Sequence, residues 1–232
     1  MIGSAYSVAD LVALWISLKL ATVTMVLLLL ACTPLAWWLA TTRSKVRVIF
    51  EAVVALPLVL PPAVVGFYLL LFLGPHGWGG RFAQQLGLQS LSFSFGGLVL
   101  GSMLYSLPFV MQPLQNAFQA VGQRTLEAAA TLGAPPWDRF FSVALPLARR
   151  GFITAAVLAF AHTLGEFGVV LMIGGNIPGR TQTAAIAIFN YAEAMNYGAA
   201  QRLSVTLLAG CFVLLLIVYA ANRRLRDAVV IA

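Results

Sequence analysis

Long apolar runs alternate with short polar segments along this chain of 232 residues. Five of the runs are long enough for a helix to cross a bilayer, which needs about 20 mostly apolar residues. They cover residues 14–40, 52–73, 96–118, 152–173 and 203–221. A β-barrel would instead show alternating segments of about ten residues. The uninterrupted runs therefore predict an all-α membrane protein with about five transmembrane helices.

The polar segments differ in their basic residues, which short loops retain on the cytoplasmic side of a membrane. Segments after the first, third and fifth runs carry Arg43, Lys45, Arg47, Arg124, Arg139, Arg149, Arg150, Arg223, Arg224 and Arg226. The alternate segments hold Arg81, Arg180 and Arg202, with Lys19 near the outer end of the first run. This asymmetry predicts an N-terminus outside and a C-terminus in the cytoplasm. Because the first ten residues lack Lys and Arg, we expect no cleaved secretory signal.

Composition agrees with a membrane assignment, because 61% of the residues are hydrophobic and 9% are charged. Soluble domains carry about 25% charged residues. The net charge of +7 is interpreted as an orientation signal with some attraction to anionic lipid. No basic patch is interleaved with aromatic residues, so we expect no nucleic-acid partner.

The sequence offers no pattern for metal binding or ATP hydrolysis. Cys32 and Cys211 both lie inside apolar runs and are predicted to pack there as free thiols. We therefore expect no metal, no cofactor, no catalytic residue and no ATPase site in the chain. Since no loop is long enough for a second globular domain, residues 1–232 are predicted to form one membrane domain.

The longest polar stretch, residues 120–150, predicts two short helices joined by a turn. Residues 127–133 read Glu-Ala-Ala-Ala-Thr-Leu-Gly, and residues 143–146 read Val-Ala-Leu-Pro. Gly133 is predicted to end the first helix in the left-handed conformation that glycine tolerates. Pro136 is placed to open the second, Asp138 to favour its first turn, and Pro146 to break it. The result is a helix-turn-helix elbow on the cytoplasmic surface.

Side chains of this elbow predict a surface that contacts a partner. Small or apolar residues share one face of the first helix, and large aromatic residues occupy the second. These are Leu126, Ala129 and Ala130, followed by Trp137, Phe140 and Phe141. The alternative is an amphipathic helix that lies on the lipid surface. We favour docking to a protein.

The elbow resembles the EAA loop of bacterial ABC importer permeases. Together with Leu-Pro-Leu-Val-Leu-Pro-Pro at 56–62, Leu-Gly-Glu-Phe-Gly at 164–168 and Gly-Asn-Ile-Pro-Gly-Arg-Thr at 175–181, it is similar to the molybdate ABC transporter permease family. The resemblance covers nearly the whole chain. It implies a multi-pass protein of the bacterial cytoplasmic (inner) membrane, the permease subunit of an ATP-driven importer of molybdate or tungstate.

The same resemblance implies that the elbow docks into a dimer of cytoplasmic ATP-binding subunits. The coupling residues it implies are Glu127, Ala128, Ala129, Gly133, Trp137, Leu145 and Pro146. Pro135 departs from the family, which often places a hydroxyl residue there to cap the second helix. Such a cap contributes about 1 kcal/mol, so this helix must be stabilised in another way.

The sequence leaves two alternative functions open. Sulfate and thiosulfate permeases share the coupling loop and carry an anion of the same charge. An ATP-independent secondary transporter is the alternative of a different class, but inverted repeats and charged sites near the midplane are not evident. A membrane enzyme is disfavoured because no paired acids or metal-spaced ligands converge.

No Lys or Arg lies near the middle of any apolar run. A dianion is expensive to hold in low dielectric without a partner. We therefore expect selection by an extracytoplasmic oxyanion-binding protein. Within the bilayer the anion would meet neutral groups such as Gln112, Asn116 and His162. A five-helix subunit is too small to enclose a gated pore, which predicts a homodimer.

Several residues inside the runs are candidates for the pathway or a gate. His162 and Glu166 are four apart, which predicts a shared helix face, and Glu166 is expected to be structural, either paired with Arg180 or held neutral. The prolines Pro57, Pro61 and Pro62 are equally compatible with a hinge and with an ordinary bent membrane helix.

Two pairs of small residues, Gly97 with Gly101 and Ala161 with Gly165, have the spacing that brings helix backbones together. Sequence alone leaves open whether these contacts lie within or between subunits.

Overall fold

The computed structural model describes residues 6–87 and 90–230, and the described part is helical without strands. Its elements are α1 (Val8–Thr41), α2 (Val46–Val59), α3 (Pro62–Leu73), α4 (Trp78–Gln85), α5 (Phe95–Val121), α6 (Gln123–Thr131), α7 (Pro136–Asp138), a π-helix (Arg139–Ala144), α8 (Leu145–Leu147), α9 (Arg149–Leu164), α10 (Gly168–Gly174), α11 (Ala184–Glu193) and α12 (Tyr197–Val230). The all-α prediction is confirmed. Side chains of Arg223, Arg224 and Arg226 lie outside the described part.

Three of these helices, α1, α5 and α12, are long and apolar enough to cross a membrane. Two bent pairs bring the number to five if each pair counts as one span. The first pair is α2 with α3, bent by 111°, and the second is Pro136–Leu147 with α9, bent by 67°. The predicted count of about five spans agrees with the upper figure, but the second and fourth runs are not single uninterrupted helices.

The break in the second run lies at Leu60 and Pro61, and its cause is the double proline. A residue before proline avoids the helical region, and both Leu60 and Pro61 precede one. Leu60 has ψ 137° and Pro61 has ψ 137°, so both are extended. Pro62 then opens α3, where its missing N–H costs nothing. Pro57 is accommodated inside α2 without ending it.

The break in the fourth run has no proline to explain it. Helix α9 ends at Leu164, Phe167 is non-helical, and α10 begins at Gly168. A Cβ added to Gly168 would lie 2.7 Å from Cβ of Pro62, and one added to Gly66 would lie 2.7 Å from Cβ of Met172. The close packing of α10 on α3, which sequence patterns do not show, therefore fixes the position of this short helix.

The core lies where α1, α5 and α9 pack against one another. Ala155 and Ala159 of α9 are fully buried there, together with Leu28, Leu114 and Cys32. In a bilayer, small residues allow the close van der Waals contact that holds helices together. Cys32 and Cys211 are free thiols, as predicted.

The two small-residue pairs behave differently. A Cβ added to Gly97 would overlap the carbonyl oxygen of Leu91, and one added to Gly101 would overlap Ile173 of α10. This pair therefore makes contacts within the subunit. A Cβ added to Gly165 would meet carbonyl oxygens of its own helix at 3.7 Å and 3.9 Å. Gly165 thus marks no close approach of a second described helix.

Hydrogen bonds group the segments at each end of the bundle. Arg43, after α1, donates to Oε1 of Gln123 at 2.9 Å, so the segments after α1 and α5 lie at the same end. At the opposite end, Tyr191 of α11 donates to Oδ1 of Asp10 at 2.7 Å, and the N–H of Ala184 donates to Ser17 at 2.8 Å. The first end carries the elbow.

Candidate functional site

The first half of the elbow is α6, and it ends in the conformation predicted from Gly133. This glycine has φ +88°. Its N–H donates to the carbonyl of Ala130 at 3.0 Å, and the N–H of Ala134 donates to the carbonyl of Ala129 at 3.1 Å. These two bonds form a Schellman motif, which satisfies carbonyls that the end of a helix leaves open.

The second half begins at Pro136, as predicted, and Asp138 lies in its first turn. Asp138 accepts a hydrogen bond from Ser142 Oγ at 2.5 Å. The predicted break before the fourth run is present, but it lies at Ala148, two residues beyond Pro146, and the helix passes through Pro146 itself. The preceding π-helix, in which the N–H of Leu145 donates to Phe140, is a wider turn that makes room for a proline ring.

The side chains of the elbow divide into an outward and an inward set. Trp137 is 76% exposed and stacks on the exposed ring of Phe141, with 6.2 Å between centroids. Leu132 is 88% exposed, and sequence reasoning missed it, although its place beside the helix-ending glycine was visible. Large apolar side chains exposed in this way are typical of an interface.

The inward set corrects two predicted docking residues. Phe140 packs against Trp37 at 5.3 Å and Phe118 at 6.0 Å, so it anchors the elbow to the bundle. Leu126 is half-buried and also packs on this core. The predicted face of Leu126, Ala129 and Ala130 therefore points partly inward, and within it Ala130 is exposed.

A cavity of about 320 Å³ lies between α6, α7 and the end of α1. Glu127 and Arg139 both contribute to its wall, beside Pro136 and Thr41. The Nε of Arg139 is buried and forms no hydrogen bond within the described residues. The wall of this cavity thus carries both an acidic and a basic side chain. Of the remaining predicted coupling residues, Ala128 and Pro146 are exposed, and Ala129 and Leu145 are half-buried.

Glu166 lies at the break between α9 and α10 and is 5% exposed. Neither of its carboxyl oxygens has a hydrogen-bond partner among the described residues, and it forms no ion pair with Arg180, which is exposed. A buried charge without a partner costs several kcal/mol, which favours the neutral carboxyl. The alternative of an Arg180 pair is therefore wrong in this structure.

His162 does not share a helix face with Glu166, because α9 ends at Leu164 before the second residue. The Nδ1 of His162 lies 2.9 Å from Ser106 Oγ, which is 3.0 Å from Thr163 Oγ1. The imidazole stacks on Phe109 with 4.0 Å between centroids. His162 thus belongs to a small polar cluster between α5 and α9.

A second polar cluster, which sequence reasoning missed as a cluster, lies between α2 and α5. Arg47 Nε lies 2.7 Å from Glu51 Oε1, and Gln115 Nε2 donates to the same oxygen at 2.5 Å. The adjoining cavity measures about 360 Å³ and is also lined by Gln112, Asn116 and Gln119. The signal for it was the spacing of the amides along one helix.

Of the predicted pathway prolines, Pro57 lines an apolar cavity of about 450 Å³ further along α2, together with Leu60. Pro57 is buried, whereas Pro61 and Pro62 are exposed. Groups of three or more His, Cys, Asp or Glu that suit a metal ion do not occur in the described residues.

A family model described as "Binding-protein-dependent transport system inner membrane component" matches residues 32–227. The chain belongs to this family. As a member, it is a multi-pass protein of the inner membrane, and the all-helical bundle with its apolar helices agrees with that location. Its relatives are permease subunits, which are not themselves enzymes.

Among its relatives, the "Molybdenum transport system permease protein ModB" of Azotobacter vinelandii is 59% identical over 92% of this chain and 95% of the relative. That of Escherichia coli K12 is 37% identical over 76% of this chain and 77% of the relative. A "Sulfate transport system permease protein CysT" from Synechocystis is 34% identical over 80% of this chain and 65% of the relative.

The family fold extends to solved structures. A chain of a bacterial alginate ABC transporter, crystallised with an alginate-bound periplasmic protein, superposes with a TM-score of 0.78 at 17% identity. The match covers 94% of this chain and 80% of that one. At this identity the likeness shows the permease fold alone.

Proposed function

We propose that this chain is the membrane permease subunit of an ATP-driven importer that carries molybdate into the cytoplasm. The observation that carries the proposal is the 59% identity to a molybdenum permease over almost its full length. The elbow supplies the physical counterpart, because it exposes apolar side chains at the end of the bundle where a partner would bury them. Tungstate has the same shape and charge and is included.

The elbow is proposed to transmit motion from a dimer of ATP-binding subunits. Leu132, Trp137 and Phe141 are the exposed apolar anchors, and such residues often contribute most of the energy of an interface. Glu127 and Arg139 line a cavity of the same elbow and would fix the orientation of the partner by charge. Gly133 shapes the turn that sets the angle between the two helices.

Two copies of the chain are proposed to form the pore, because one bundle has too few spans to enclose a gated route. The described long helices hold no Lys or Arg near their midpoints. A soluble oxyanion-binding protein is therefore proposed to select the anion outside. Pro57, Pro61 and Pro62 are proposed to allow movement at the α2–α3 break, whereas Glu166 and His162 are proposed to be structural.

The proposed orientation places the N-terminus outside and the elbow in the cytoplasm. Single cysteines at Arg81 and Arg180 should react with an impermeant thiol reagent added to intact cells, and one at Arg139 should not. Reaction at position 139 from outside would contradict the orientation.

Uptake tests the substrate directly. A strain that lacks this chain should lose accumulation of labelled molybdate at low concentration and regain it with the chain on a plasmid. Excess tungstate should compete, and excess sulfate should not. Sulfate competition equal to that of tungstate would favour the sulfate permease instead. Uptake that persists when the ATPase subunit is deleted would reject ATP-driven transport.

A further inference from the structure

We propose that the amide-lined cavity between α2 and α5 is the cytoplasmic half of the oxyanion route, and that Arg47 is the cation at its exit. The inference rests on the proposed function, because it assumes that an anion passes through a pore that two copies of this chain form. It starts from four amides of α5, Gln112, Gln115, Asn116 and Gln119. Three of them, at 112, 116 and 119, are exposed on one face of the helix.

The depth of these amides in the membrane determines whether lipid can surround them. Gln112 lies nine residues before the end of α5 at Val121, which places it about 14 Å from the cytoplasmic end of the helix. An amide in contact with lipid at that depth would lose its hydrogen bonds at a cost of several kcal/mol. In the proposed vestibule, water satisfies them instead. Further out on α5, the exposed residues Leu100 and Leu104 are apolar.

Arg47 gives the cavity its charge. Only the Nε of its guanidinium is used in the pair with Glu51, and the group has two further nitrogens that suit a tetrahedral oxyanion. Glu51 is itself held by Gln115. This carboxylate fixes the position of Arg47 and offsets part of its attraction for an anion. Release into the cytoplasm needs a site that binds weakly, as conduction generally does.

Polarity ends where α2 breaks. The next cavity along both helices is lined by Leu56, Pro57, Leu60 and Leu104, with other apolar and aromatic side chains. Along α2 the polar vestibule is therefore followed by an apolar cavity of about 450 Å³, whose wall includes Pro57 and Leu60 beside the double proline.

Cysteine accessibility tests the vestibule in the complete transporter. The variants are Gln112→Cys and Asn116→Cys, in a background with Cys32→Ala and Cys211→Ala. The control is Leu30→Cys on α1, which is exposed and lies at a similar depth, eleven residues before the end of its helix. A negatively charged, impermeant thiol reagent added to inside-out vesicles should label positions 112 and 116 but not position 30. Equal labelling of all three, or none, would overturn the proposal.

Charge substitution tests the route. Asn116→Asp places a carboxylate in the path of a dianion and should lower molybdate uptake on the order of tenfold relative to Asn116→Gln, because like charges repel strongly at low dielectric. Both variants are compared at equal membrane levels. Equal uptake by the two would overturn the route.

Failure of this inference is distinguishable from failure of the proposed function. Cysteine labelling does not depend on the substrate. If positions 112 and 116 are labelled but the transporter takes up neither molybdate nor tungstate, the proposed function is rejected and the vestibule is still supported. Normal molybdate uptake with unlabelled cysteines would reject the vestibule and leave the function.

Discussion

The elbow exposes large apolar side chains to its surroundings, whereas the α9–α10 break buries a polar side chain. At the elbow, Trp137 and Leu132 expose large apolar groups, whereas at the break Glu166 is buried beside the bundle core with unsatisfied oxygens. The first arrangement is favourable only when a partner covers it. The second must be tolerated by the folded subunit itself, in its neutral form. Substitutions of the outward side chains of the elbow should therefore change assembly, and substitutions that disturb the packing around the break should change folding.

The largest effect is expected at Phe140. It should distinguish this residue from Trp137, which lies three positions earlier in the elbow. Phe140→Ala should lower the free energy of unfolding by about 3 kcal/mol, because it removes a ring packed on Trp37 and Phe118. Thermal unfolding in detergent measures it. An unchanged midpoint would show that the elbow is not anchored through Phe140.

Trp137→Ala is the matched variant on the outward side. It should leave unfolding unchanged and weaken binding of the ATPase by about 2 kcal/mol, roughly 30-fold, as for a central interface residue. Co-purification of the ATPase with the permease reports the loss. If Trp137→Ala destabilises the isolated permease instead, the outward assignment of this ring is wrong.

Gly66 tests the contact between the two broken spans. Gly66→Ala would place a Cβ 2.7 Å from Cβ of Met172 and 3.1 Å from Cα of Val169, and overpacking of this kind costs about 1–3 kcal/mol. The control is Gly210→Ala in α12, where no atom lies within 4 Å of the added group and the helix should gain about 1 kcal/mol. Equal free energies of unfolding for the two variants would contradict the close approach of α3 and α10.

Gly133→Val should cost about 1–2 kcal/mol locally, because a β-branched residue is strained at φ +88°. No neighbour lies within 4 Å of the added Cβ, so the strain is in the backbone and reaches only the elbow. The ATPase should be lost while the permease stays in the membrane. Gly133→Asn, which tolerates this conformation better, should retain more ATPase. An intact complex in the valine variant would argue against docking through this turn.

The smallest effect is expected for Glu166→Gln, within about 1 kcal/mol of the native chain, because a neutral carboxyl and an amide have nearly the same size and polarity. A loss of about 3 kcal/mol or more would indicate a charged carboxylate with a buried partner. Unfolding and molybdate uptake should both stay close to those of the native chain.

Much of the architecture was predictable because it depends on local properties of the chain. The positions of the five apolar runs follow from the thickness of the bilayer. The turn at Gly133 and the helix start at Pro136 follow from the conformations that these two residues permit. These two conformations do not depend on distant residues. The structure agrees with both, because Gly133 has φ +88° and a helix begins at Pro136.

The misassigned residues all depend on contacts between distant parts of the chain. Pro146 was predicted to break a helix, but the π-helix before it accommodates the ring. Phe140 and Trp137 are equivalent in sequence, and only the position of α1 and α5 makes one a core residue. Glu166 was placed on a continuous helix because residues 152–173 contain no proline, and glycines such as Gly165 and Gly168 are common within membrane helices.

By itself, the sequence determined the class of protein, the apolar spans and the turn of the elbow, since bilayer thickness and backbone conformation act on each segment separately. Tertiary structure alone decided where the fourth run breaks, which aromatic residues face outward, and that four amides and one ion pair border the same cavity. These features arise from the packing of α3 on α10, of the elbow on α1 and α5, and of α2 on α5. Close packing between segments far apart in the chain leaves no periodic signal in either segment.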